Sequence, residues 1–208
     1  MTVIDRPTAT PTIPPRPAPP AIIEPTRHRW SADEYMKLGD RDVIPHRTEL
    51  INGEIYDVAS QNNPHVAGIS NATRLLIAAF DETYWVTIQS TVRLPLGDVP
   101  DPDLAVRPGP VSADDNVRPT PLLVIEVSDT TLLFDQVVKG SMYAANGVAD
   151  YWVLNVKARQ LEVYRGPVKD ESRTHGWRYA EPIIVKPPGY AIPLAKQDVR
   201  FEVAKMLP

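Results

Sequence analysis

The chain has 208 residues, 43% of them hydrophobic, no cysteine and a formal net charge of -4 at pH 7. That length suits one ordinary core rather than two. The lack of cysteine excludes a disulfide framework and a thiolate metal site and suits a reducing cytoplasm, while no apolar run approaches the roughly 18 residues needed to cross a bilayer. The negative balance excludes a global attraction to polyanions, so a nucleic-acid partner has to be drawn by local patches.

Residues 1–25, MTVIDRPTATPTIPPRPAPPAIIEP, hold eight of the 23 prolines. Proline lacks an amide donor, so this stretch is expected to be an extended, disordered tail ahead of a single folded domain over 26–208. A proline-binding partner and a plain solvated leader both fit that composition. No charged-then-apolar leader is visible, and the expectation is a soluble cytoplasmic protein.

Ordered structure is expected from about Trp30, where WSADEY offers Ser31 as an N-cap and Glu34 three residues on, a capping box for a helix ending near Gly39. HRTELINGEIYDVAS reads as two short strands turning at Asn52-Gly53, a dipeptide that accepts positive φ twice. From Asn63 to about Glu82, Val66, Ile69, Thr73, Leu76, Ile77 and Phe80 recur at helical spacing, with His65 in the first turn. YWVTIQSTVRL alternates as a strand, PDLAV is a short strand and PLLVIEV a buried central one. FDQVVKGSMYAANG predicts a helix stopped at Gly147, DYWVLNV and QLEVYR a hairpin, and the remainder further strands and a short terminal helix. This order predicts a mixed α/β (α+β) fold with a mixed sheet flanked by helices.

The chemistry concentrates where acids interrupt apolar runs. Glu126 sits inside PLLVIEVS, and a carboxylate in a central strand needs a cation, a metal or several donors to offset its lost hydration. Alternation puts Val124, Glu126 and Ser128 on one face, and Asp103 opens the neighbouring run DLAV. Two acids at adjacent strand ends suit a hard divalent cation such as Mg²⁺, which accepts one or two carboxylates and keeps its waters. Asp135, Lys139 and Tyr143 are spaced i, i+4, i+8 on the helix that follows, so Lys139 could reach the acids and act on a scissile phosphate. Taken alone, Asp135 with Lys139 also reads as an exposed helix salt bridge. Asp101 reads as a turn residue, since DPD is good turn chemistry.

With these residues in view, TELINGEIYDVAS, PDPDLAV, LLVIEVS and DQVVKGSMYAANGVADYWVLNVKARQLEVYR together resemble the Uma-two-type restriction endonuclease family of the PD-(D/E)XK nuclease superfamily. The likeness runs from about Ser31 to the carboxyl end. It implies a restriction-endonuclease-like core and hydrolysis of DNA phosphodiesters dependent on Mg²⁺ or Mn²⁺. By the same likeness, Asp103 matches the first acid, Glu126 the second, Glu49 an early acid able to join the metal shell, and Lys139 the catalytic lysine. Ser128 occupies the place where the wider superfamily has its lysine. His65 matches a family histidine able to contact phosphate, and a packing or capping role fits it equally; Tyr143 is expected beside the substrate.

DNA as substrate rests on that likeness, because no helix-turn-helix, zinc finger or long basic stripe is present. Arg47, Arg74, Arg93, Arg107 and Arg118 are scattered and form a phosphate track only if the fold gathers them. Cutting both strands of a duplex implies a homodimer. Two other classes stay open: an inactive nucleic-acid-binding or scaffold protein of the same fold, and a carboxylate-pair glycosidase using Glu126 as its acid.

Overall fold

The computed structural model describes residues 25–44, 47–58, 60–112 and 119–208. The proline-rich tail, except Pro25, and Arg118 lie outside the described residues.

A six-stranded sheet carries the fold, in the order β8 (Ile183–Val185), β7 (Gln160–Tyr164), β6 (Tyr151–Asn155), β5 (Leu123–Ser128), β4 (Leu104–Pro108), β3 (Tyr84–Ile88). Neighbours are antiparallel except β5 and β6, which are parallel, with Glu126 opposite Val153. A parallel pair needs a crossover, and here the chain makes it through a π-helical turn, Phe134–Lys139, running into α3 (Gly140–Ala145).

Alternation along the central strands decides the layers. Leu123, Ile125 and Val127 join Leu104, Val106, Trp152 and Leu154 beneath α2 (Asn63–Ala79) and α4 (Val203–Met206). Val124, Ala105 and Val153 face the other way, against Met142 and Tyr143 of α3. Each fully buried large aliphatic side chain contributes roughly 1.5–3 kcal/mol. Contact with α2 is tight: a Cβ on Gly68 would lie 2.8 Å from Val127 Cγ1.

The smaller elements follow their local signals. Ser31 and Glu34 form the reciprocal capping box of α1 (Ala32–Asp40). β1 (Thr48–Ile51) and β2 (Glu54–Asp57) turn at Asn52 and Gly53, with φ of 50° and 73°. Three expectations change in extent or kind. The second helix ends at Ala79, because Phe80 goes extended and turns into the core. The strand expected through Leu94 stops at Ile88, where Gln89 adopts φ 46° and donates its N–H to the Asp103 carbonyl at 3.0 Å. The third helix opens with a π turn, in which Gly140 N–H reaches back to the Asp135 carbonyl that also accepts Tyr151 OH at 2.9 Å.

Candidate active site

Proline explains why carboxylates gather beside β5. In VPDPDL, Pro100 and Pro102 offer no N–H, so regular pairing along β4 begins only at Leu104, opposite Ile125. The Asp103 side chain takes the place of a backbone acceptor: Val127 N–H donates to Asp103 Oδ2 at 2.8 Å, and Asp103 N–H donates to Glu126 Oε2 at 3.3 Å. Asp103 and Glu126 thus lie side by side on adjacent segments, both buried.

Glu49 comes from the separate β1–β2 hairpin. Leu50 and Val99 exchange backbone bonds of 3.1 and 2.8 Å, and Asp101 N–H donates to Glu49 Oε1 at 2.8 Å. From the crossover after β5, Lys139 Nζ lies 3.0 Å from Glu49 Oε1 and 3.0 Å from Glu126 Oε1. The exposed Asp135–Lys139 bridge is therefore not what forms: both are buried, Lys139 pairs with the two glutamates, and Asp135 accepts from Thr131 Oγ1 at 2.7 Å. Tyr143 also departs from expectation. It is wholly buried behind the acids, donating its hydroxyl to Glu126 Oε1 at 2.9 Å, rather than lining the cleft.

His65 arrives on the first turn of α2. Asn62 caps that helix by accepting His65 N–H at 3.0 Å and donates Nδ2 to Asp129 just past β5. His65 Nε2 then lies 3.0 Å from Asp103 Oδ2. These residues line one cleft of about 500 Å³ together with Arg47, Tyr56, Gln89, Asp101 and Phe134. The arginines are not gathered. Arg47 is at the cleft, Arg93 pairs with Asp33, Arg74 binds Asn71, and Arg107 is buried against Trp85.

Electrostatics set this cluster apart. Burial pushes the Glu126 carboxyl up to about 8; Lys139 opposes the rise, and Asp103, Asp135 and Glu49 reinforce it. Asp135 and Asp101 are likewise raised, chiefly by burial. Burial disfavours the Lys139 ammonium, but Glu126 and the other carboxylates outweigh that and hold its pKa well above the usual lysine range. His65 is raised in the same way, its desolvation outweighed by Asp103.

The resemblance implies a divalent cation, and the residues can be tested against it. Among the described residues, no group of three or more His, Cys, Asp or Glu side chains converges on one cation position. Asp103 and Glu126 nevertheless supply the one or two carboxylates that Mg²⁺ takes while retaining water. The field favours it too, since seven carboxylates line the cleft against two fixed cations, Arg47 and Lys139. A divalent ion supplies the positive charge that the raised acids lack, so the donor set fits.

Asp135, which helical spacing puts on the face of Lys139 and which the Thr131 hydroxyl binds, and Asp101, expected as a turn residue, both line the cleft; Gln89, Tyr56 and Phe134 join them only through tertiary contacts, with no local signal in the sequence.

Comparison with known proteins agrees with this fold. Among solved structures, one from Anabaena variabilis, described as a "putative nuclease belonging to DUF820", is 14% identical and superposes with a TM-score of 0.63, covering 85% of this chain and 96% of that one. At that identity the likeness speaks for the fold alone. The type IIG restriction endonuclease BpuSI, also 14% identical, covers 49% of this chain and 11% of its own with a TM-score of 0.33, too low to carry an argument. No curated protein matches. No helix among the described residues is long and apolar enough to cross a membrane. The family model named Uma2, described as "Putative restriction endonuclease", matches residues 32–189, well over half of the 208 residues, and the chain belongs to that family.

Proposed function

We propose that this chain is a metal-dependent endonuclease that hydrolyses DNA phosphodiester bonds, with Asp103, Glu126, Lys139 and Glu49 as its catalytic group. The observation that carries the reading is Lys139 Nζ at 3.0 Å from both Glu49 and Glu126, on the floor of a cleft shared with Asp103. Family membership supports the reaction class.

Asp103 and Glu126 would hold Mg²⁺ or Mn²⁺, with Glu49 able to join them. Such an ion supplies charge neutralisation at the phosphate and a more acidic bound water. In the reaction, a water oxygen bonds to phosphorus as the bond to the leaving sugar oxygen breaks, and the proton released from water is balanced by one delivered to that oxygen. Lys139 orients the attacking water and stabilises charge developing on the phosphate oxygens, in a site dry enough for that charge to matter. Tyr143 positions Glu126 from behind through its hydroxyl. His65 donates to the incoming phosphate from the α2 side, favoured as a cation by Asp103. The same reading has the chain act as a homodimer in the cytoplasm.

The test is plasmid nicking in Mg²⁺ and in chelator, beside calorimetric metal titration. Glu126→Gln and Asp103→Asn are expected to weaken metal binding and slow cleavage by orders of magnitude, while DNA affinity persists. Nicking that survives in chelator and in both variants overturns the proposal. Metal binding without any cleavage favours a non-catalytic binding protein of the same fold.

A further inference from the structure

Two aromatic rings share the cleft with the acids. Tyr56 comes from β2 and Phe134 from the start of the π turn; their centroids are 5.4 Å apart with planes inclined at 54°, and both side chains are half-buried. Their inner sides rest on the core layer that contains Met142 and Tyr143. Gln89, which lines the same cleft, holds φ 46°, a strained backbone for a residue other than glycine.

We infer that Tyr56 and Phe134 form a stacking platform for an unpaired base, so that the cleft acts on single-stranded or locally unpaired DNA in preference to intact duplex. This rests on the nuclease reading above and specifies its substrate. Seven acids, with Glu126 protonated below about pH 8, face only Arg47, Lys139 and His65 in the cleft, and Lys139 is already engaged by Glu49 and Glu126, so the cleft offers a polyanion little attraction. Duplex binders draw most of their non-specific affinity from several phosphate contacts to Lys and Arg, and the cleft offers one arginine for that purpose.

Binding strength must then come from elsewhere. Stacking on an aromatic face needs no cation and is indifferent to base identity, the usual solution in proteins that hold single strands. A paired base cannot use it, because both its faces are covered by neighbours in the duplex. Size points the same way: about 500 Å³ is the scale of a small-molecule pocket, and Glu126, Asp103 and Lys139 are buried at its floor. A nucleotide turned out of the stack reaches that floor with its phosphate, in a cleft that Gln89 also lines.

Three oligonucleotides of one sequence test the inference: fully paired, carrying a central unpaired bubble, and the bubble with abasic sites in place of its bases. The wild-type chain in Mg²⁺ is expected to cut the bubble at its unpaired segment at least about tenfold faster than the paired duplex. Phe134→Leu and Tyr56→Leu keep bulk against the core but lose the aromatic face, and each is expected to lower kcat/KM on the bubble by about tenfold. Phe134→Trp should restore it. On the abasic bubble the wild-type rate should fall toward that of the leucine variants, because both have lost the stack; thermal melts confirm that the variants are folded. Equal or faster cutting of the paired duplex, or folded leucine variants as active on the bubble as wild type, overturns the inference and leaves the nuclease reading standing. Failure to cut any of the three in Mg²⁺ overturns both.

Discussion

Lys139 Nζ lies 3.0 Å from Glu126 Oε1 with both side chains buried, the lysine entering from the crossover helix and the glutamate from the central strand. The pair ties one layer of the fold to the sheet, and its ammonium is shared with Glu49.

Lys139→Met should therefore cost stability as well as activity. Removing one partner from a buried ion pair strands the other and costs about 3–5 kcal/mol. Glu126 can escape by taking up a proton, so the loss should be larger at pH 8 than at pH 5. Thermal melts of Lys139→Met, Glu126→Gln and the double variant check this: the double variant should melt above Lys139→Met at pH 8. Equal penalties at both pH values would show that the pair does not govern stability.

In chelator, wild-type stability should fall as pH rises from about 5 to 8. Glu126 titrates near 8 in the fold against an ordinary 4.5, so across that window the folded chain keeps a proton that the unfolded chain has released. Stability then declines with pH, by an order of a few kcal/mol in all. Raised values at Asp135 and Asp101 act in the same direction, and the contribution of His65, also raised, is lost as pH climbs through its folded value. Glu126→Gln should flatten much of the slope, and Mg²⁺ should raise the melting temperature more at pH 8 than at pH 6. A flat profile for the wild-type chain in chelator would contradict the buried-acid account.

Tyr143→Phe removes the hydroxyl that donates to Glu126 Oε1. Losing a donor to the carboxylate disfavours its ionised form, so the rising limb of the pH–rate profile for cleavage should move to higher pH. The stability cost should be about 1–3 kcal/mol. If the limb stays where it is, the tyrosine serves packing alone.

Gly68→Ala should disturb the site from a distance. Its new Cβ would lie 2.8 Å from Val127 Cγ1, so α2 has to lift from β5. A cost of about 1–3 kcal/mol is expected from that overpacking. Because α2 carries His65, the His65–Asp103 contact should loosen and the His65 pKa, measured by NMR titration, should drop toward its ordinary 6.5. An unchanged titration would mean that the helix absorbs the methyl without moving its first turn.

Local signals in the sequence were enough to determine the elements that depend on few neighbours. The Ser31–Glu34 capping box, the Asn52-Gly53 turn and the start of α2 each rest on bonds within a few residues, so composition and spacing reveal them. The acids of the candidate site were legible for a related reason: Glu126 is conspicuous inside an apolar strand, and Asp103 follows prolines that interrupt pairing. Tertiary structure alone decided what surrounds them. Lys139 and Glu49 are 90 residues apart in sequence and meet only because the crossover and the hairpin pack on the same end of the sheet. Gln89 takes a left-handed turn that no local residue preference demands, and its bond to the Asp103 carbonyl supplies the compensation. Tyr143 changes from an expected substrate neighbour to a buried donor because helical spacing fixes which residues share a face but not which layer covers it. Periodicity along one element carries no information about the second surface, and charge, burial and pKa at this site are properties of both surfaces together.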